Sequence, residues 1–222
     1  MNARRIFRSL AWAYHDPGGI CLWWLIRSDA RLHILSELAF EQQDEAELAG
    51  HIKDHDQRLG IGCDKNGDML SLLIRFVSYT VGTPEIVSKP GPKPFGWKGE
   101  TIGDRLLRHG IVVSPADDDR LNGWQRCQTL LQTFVDGEPW LTISPSCTKL
   151  IQAIPTGLQD SKHTDDVQNP HPALTAFRYG AMSRPTPQQH TPTVKIPPGS
   201  PADVMQKIRA QKTGCRGWGR TR

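Results

Sequence analysis

An α/β fold on one sheet of mixed direction is what the sequence predicts, from three observations. The chain opens with three strand-like apolar runs separated by turn signals of a few residues, and short turns join antiparallel neighbours, so the opening reads as a three-stranded meander. The spacing of apolar residues then changes from the strand period of two to the helical period of about 3.6. From there strands and helices alternate, as expected of a sheet covered by helices.

The first run, 6–14, ends at Asp16-Pro17-Gly18-Gly19, where Pro fixes φ and Gly frees it. The second, 20–26, turns at Ser28-Asp29 into the third, 32–40. Leu48, Ile52 and Leu59 then fall at helical spacing among acids, Lys and Gln, predicting an amphipathic helix over 44–59. A strand follows at 72–81, and 84–99 reads as a loop rich in Pro and Gly. Ile102, Leu106 and Leu107 mark a helix ended by Gly110, and Ile111-Val112-Val113 a short buried strand leading to Asp117-Asp118-Asp119. A helix over 121–134 carries Trp124, Leu130 and Leu131; a strand at 140–143 and helices at 146–154 and 172–182 complete the body. The order βββαβαβ with further α and β elements is the ribonuclease-H-like succession.

Composition sets bounds. With 37% hydrophobic and 23% charged residues, the chain can fill the core of one domain. No run approaches the length of a membrane span, and charge enters too early after Met1 for a signal peptide, so the expected location is intracellular, with no membrane partner. Five scattered cysteines, Cys21, Cys63, Cys127, Cys147 and Cys215, suggest neither a disulfide framework nor a zinc knuckle. The net charge of +4 belongs to the end of the chain, where seven basic residues stand against Asp203 alone. Prolines crowd after Arg184, so 1–184 is read as the folded domain and 185–222 as a Pro-rich linker and basic tail, expected to be disordered. Lys207, Arg209, Lys212, Arg216, Arg220 and Arg222 are the tail's candidates for contacting nucleic acid.

Several strings in order carry a family resemblance: Ser9-Leu10-Ala11-Trp12-Ala13-Tyr14, Trp23-Trp24, Tyr79-Thr80-Val81-Gly82-Thr83-Pro84, Gly99-Glu100-Thr101-Ile102, Pro115-Ala116-Asp117-Asp118-Asp119-Arg120, Cys147-Thr148-Lys149-Leu150-Ile151 and Ala176-Phe177-Arg178-Tyr179-Gly180. Together, over roughly 5–184, they resemble the C-terminal nuclease domain of tailed-phage or prophage terminase large subunits. The resemblance implies a domain related to DNA packaging, with double-stranded DNA as substrate. It also implies portal, capsid or ATPase-half partners in the cytoplasm of a bacterial host. The family's packaging ATPase needs a G-x-x-x-x-G-K-[ST] loop; this chain contains none, so no ATP hydrolysis is expected.

The family reaction is two-metal cleavage of concatemeric DNA with Mg2+ or Mn2+ held by carboxylates. Carried over string by string, the acid positions fall on Ala11, Thr83, His171 and Thr175, and none is a carboxylate. Alanine has no ligand atom, a Thr hydroxyl is a weak ligand for a hard cation, and neutral His favours borderline metals. The expectation is therefore a nuclease-like domain with weakened or absent cleavage and no cofactor as written, the alternative being a non-enzymatic DNA- or capsid-binding protein on the same fold.

Relocated acids are the remaining catalytic candidates. Asp16 lies close after Ala11 but is more simply read as a turn cap. Asp117, Asp118 and Asp119 follow a strand end, where α/β sites gather, yet Asp118 or Asp119 also suits the cap of the next helix. Asp165 and Asp166 read as loop solvation. His51 and His55 have the i, i+4 spacing of a zinc pair without a third ligand, and an exposed helix face is the expected setting. Trp23, Trp24, Trp124 and Trp140 lie in apolar runs and read as core.

Overall fold

The computed structural model describes residues 5–12, 18–41, 43–61, 77–88, 99–157, 167 and 170–184. Strands β1 (Arg5–Trp12), β2 (Gly18–Ile26) and β3 (Leu32–Glu41) form the antiparallel meander, with Leu10 opposite Cys21 and Trp23 opposite Ser36. Gly19 is required where β2 passes Phe40, because a Cβ there would collide with the Phe40 ring. β4 (Val77–Gly82) pairs parallel with the free edge of β1, and β5 (Ser114–Pro115) parallel with β4. A strand at Leu141–Ile143, β8, runs parallel to β3 and completes the order β5-β4-β1-β2-β3-β8. The carboxyl ends of β1, β4 and β5 therefore share one edge of the sheet.

Both faces of the central strands are apolar, which demands cover on both sides. On one face Phe7, Ala11, Ile20, Leu22 and Trp24 pack with α4 (Arg120–Gln132), α5 (Thr148–Thr156) and α6 (Pro172–Met182). Trp24 stacks between Phe7 and Phe177, centroids 5.4 and 5.6 Å away, and its Nε1 donates to Ser9 Oγ at 2.8 Å. On the other face Ile6, Leu10, Cys21 and Trp23 meet α1 (Glu45–Arg58) and α3 (Ile102–Arg108). Buried Arg8 is satisfied there: its Nε donates to Thr80 Oγ1 at 3.0 Å and its Nη1 pairs with Asp56 at 2.9 Å, while Trp23 Nε1 donates to the second Asp56 oxygen at 2.7 Å.

Several expectations need correction. The start of the predicted loop 84–99 is a short helix, α2 (Pro84–Ser88): Pro84 presets the helical φ, and Thr83 O accepts from Ile86 N to close the first turn. The short strand falls at β5 rather than 111–113, because Ile111 N is spent on Leu106 O in closing α3, and Val112 is 63% exposed. The helix predicted to 134 stops at Gln132, and Phe134–Val135 (β6) forms a hairpin with Glu138–Pro139 (β7) through Asp136-Gly137, both at positive φ. That Asp-Gly pair is a sequence signal for a tight hairpin that the helical reading overrode. Trp23, Trp24 and Trp124 are core, whereas Trp140 is only partly buried. His51 is exposed as expected, but His55 is half-buried, 4.3 Å from the Trp23 ring centroid and bonded through Nε2 to Ser36 Oγ at 2.8 Å. The segment 72–76, Cys63, Cys215 and the linker and tail 185–222 lie outside the described residues. Among the described residues no helix is long and apolar enough to cross a membrane.

Candidate functional site

The carboxyl ends of adjacent parallel strands are where α/β folds gather chemistry, because side chains there leave the sheet without a helix above them. Ala11 lies at the end of β1, opposite Ile20 in β2. Thr83 follows β4 directly and is sewn to β1 by two bonds: Thr83 N donates to Leu10 O, and Trp12 N donates to Thr83 Oγ1, each at 3.1 Å. These positions are thus neighbours across a strand pair although far apart in sequence. Helix α6 opposes the strands, its last turn reaching back to Tyr79, whose hydroxyl bonds Ser183 Oγ at 3.2 Å. Its Tyr179 hydroxyl meets Thr83. Thr175 lies one helical turn before Tyr179, and His171 is the N-cap, accepting from Ala173 N through Nδ1 at 3.1 Å.

The loop after β5 brings acids to the same edge. Ala116 N donates to Gly82 O at 2.8 Å, which fixes the loop beside β4. Asp119 caps α4 by accepting from Asn122 N at 3.1 Å, and Asp117 accepts from Asp119 N at 3.0 Å, so both have structural uses. Asp118 differs. One of its oxygens, Oδ1, accepts from Arg178 Nη2 at 2.6 Å and from Tyr179 Oη at 3.3 Å. Arg178 is 4% exposed, its guanidinium 5.6 Å from the Trp124 ring centroid and 4.9 Å from that of Tyr179. Gly123 makes room for it, since a Cβ there would stand 2.7 Å from Arg178 Cγ and Cδ. Burial, then the Asp118 charge, pushes the Tyr179 phenol up to about 12, so it remains a hydrogen-bond donor at neutral pH.

Arg178 and Tyr179 belong to one of the strings that carry the resemblance, and their pairing with Asp118 is a feature of the folded chain. An arginine among Ala, Phe, Tyr and Gly on a helix facing a sheet was the available signal, since such a charge must be paired. Asp16, Asp165 and Asp166 lie outside the described residues. Burial pushes the thiols of Cys21 and Cys127 up to about 12 and that of Cys147 up to about 11, which suits inert core residues rather than nucleophiles.

No protein-family model and no curated protein sequence matches the chain. Among solved structures, the nuclease domain of the P22 large terminase superposes with a TM-score of 0.56 at 11% identity, covering 83% of each chain. The chain has the fold of a large-terminase nuclease domain. Further similar structures are the nuclease domain of the bacteriophage SPP1 large terminase with bound Mn (TM-score 0.48, 13% identity, 79% of this chain and 84% of that one) and that of thermophilic phage G20c (0.46, 10%, 81% and 80%). The terminase-nuclease fold is the ribonuclease-H-like α/β architecture predicted from the element order.

The described residues of this terminase-like edge do not fit a pair of divalent metals. The Ala11 methyl is buried in the cluster of Phe7, Trp24 and Phe177. Thr83 Oγ1 already accepts from the backbone, and Asp118 is neutralised by Arg178. Among the described residues no group of three or more His, Cys, Asp and Glu side chains is placed to hold a metal ion.

Proposed function

We propose that this chain is a terminase nuclease-like domain of a phage or prophage DNA-packaging system, acting in the bacterial cytoplasm, that contacts duplex DNA with metal-dependent cleavage weakened or absent. The observation that supports the reading is that Thr83, directly after β4, is bonded to Leu10 and Trp12 on either side of Ala11, so two positions that the resemblance matches to acids are neighbours and neither is a carboxylate. Two hard cations beside a phosphate need several anionic oxygens, and a methyl and a backbone-engaged hydroxyl supply none. DNA contact is supported by the fold and by the basic residues from Lys207 to Arg222. Portal, capsid or ATPase-half partners belong to the same proposal.

Plasmid DNA incubated with the protein and Mg2+ or Mn2+ should stay intact above background, and robust metal-dependent nicking would overturn the reading. Replacing Ala11→Asp, Thr83→Asp and Thr175→Asp together should produce Mn2+ binding measurable by calorimetry, with single replacements having little effect because the two ions share ligands. A folded triple variant that binds no Mn2+ counts against the positional correspondence.

A further inference from the structure

Arg178 and Tyr179 present two donors to a single anionic oxygen at the carboxyl edge of the sheet. The oxygen they hold is Asp118 Oδ1, from a side chain that is itself 59% exposed on the loop between β5 and α4. The donors are buried but the carboxylate they bind adjoins solvent, so the cradle opens outward where Asp118 sits. Arg178 Nη1 is also buried and has no hydrogen-bond partner among the described residues, leaving donor capacity beyond what Asp118 uses. Stacking against Tyr179 and Trp124, with the space left by Gly123, holds the guanidinium in place whether or not Asp118 is present.

We propose that Arg178 and Tyr179 form a cradle for one phosphodiester of duplex DNA, and that the Asp118 carboxylate occupies it in the DNA-free chain as an internal competitor. This rests on the DNA-contacting function proposed above. A non-bridging phosphate oxygen makes the same demand as Oδ1, a charge-assisted bond from guanidinium plus one from a hydroxyl, and phosphate contacts position a protein on DNA without reading sequence. Leaving the cradle empty would strand a buried cation, so carboxylate and phosphate exchange with each other rather than with nothing. Asp118 can leave by rotating its own exposed side chain. Among the described residues no acidic group is placed to hold a metal ion, and such a site holds the DNA backbone directly.

Asp118→Asn keeps the shape and removes the charge; Asp117→Asn makes the same charge change one residue away, where the carboxylate touches only Asp119 N among the hydrogen bonds above. With a 20-base-pair duplex at ~0.1 M salt, Asp118→Asn should bind ~5-fold tighter than the unaltered chain and Asp117→Asn less than ~2-fold tighter. Adding Tyr179→Phe to Asp118→Asn should remove most of the gain. Without DNA, Asp118→Asn should melt lower than the unaltered chain, and inorganic phosphate at matched ionic strength should raise its melting temperature by ~3 °C more than it raises that of the unaltered chain. Equal gains for Asp117→Asn and Asp118→Asn, with DNA binding by the unaltered chain intact, would overturn the cradle alone. Phosphate rescue of Asp118→Asn without DNA binding by any variant would overturn the DNA-contacting function and, with it, the phosphodiester as occupant.

Discussion

Gly180 shows how much one missing carbon decides. It lets α6 lie against Trp24, and a Cβ there would come within 2.6 Å of the indole Nε1, where the ring is already fixed by Phe7, Phe177 and Ser9. Gly180→Ala should therefore cost ~1–3 kcal/mol through overpacking despite Ala's better helix propensity, read as a lower urea midpoint at unchanged slope. Histidine burial sets a second residue-scale expectation. Burial lowers His33 and His55 below the ordinary 6.5, with the Arg58 charge adding to the effect at His55. The unfolded chain then binds more protons between the folded values and 6.5, so this contribution to stability is present above that pH and is lost as pH falls through the folded values. Denaturation midpoints should fall as the pH drops below 6.5, and His55→Gln should flatten the fall. An equally steep fall in that variant would assign the dependence to other groups. The i, i+4 spacing of His51 and His55 was legible in the sequence, but the partners that distinguish them, Trp23 and Ser36, come from other elements.

At the scale of elements, the strands and longer helices followed from period and punctuation, because each buries its own stripe. The short pieces did not. β5 and β8 have two and three residues, too few to show a period, and exist because a neighbouring strand offers a free edge. Helix α5 is a case where the cap comes from elsewhere in the chain. Cys147 supplies no side-chain cap; instead the Glu37 carboxylate from β3 accepts from Lys149 N at 2.7 Å and Leu150 N at 3.0 Å. An acid at a helix N-terminus satisfies orphan N–H groups and the dipole together. Glu37→Ala should destabilise the protein by ~1–2 kcal/mol, with amide exchange speeding first at the start of α5. Unchanged exchange at Lys149 and Leu150 would show the cap to be dispensable.

For the whole molecule, binding to DNA should depend on the charge that the sequence concentrates near its end. Neutralising Lys207, Arg209 and Lys212 to Ala should weaken duplex binding and lower the slope of log K against log salt by up to ~3, as counterion release predicts for three lost phosphate contacts. An unchanged slope would place the DNA contact on the folded body alone. The sequence by itself determined the meander, the alternation after it and the location of the basic charge. Periodicity and composition are local properties that can be read along the chain without knowing which segments meet. Only the tertiary structure decided that Thr83 joins β1 through Trp12, that β8 closes the far edge of the sheet, and that Asp118, rather than Asp117 or Asp119, meets Arg178 and Tyr179. Those pairings span about sixty or more residues, and the parallel strands and the helix crossing over them select partners by packing, which no spacing along the chain encodes.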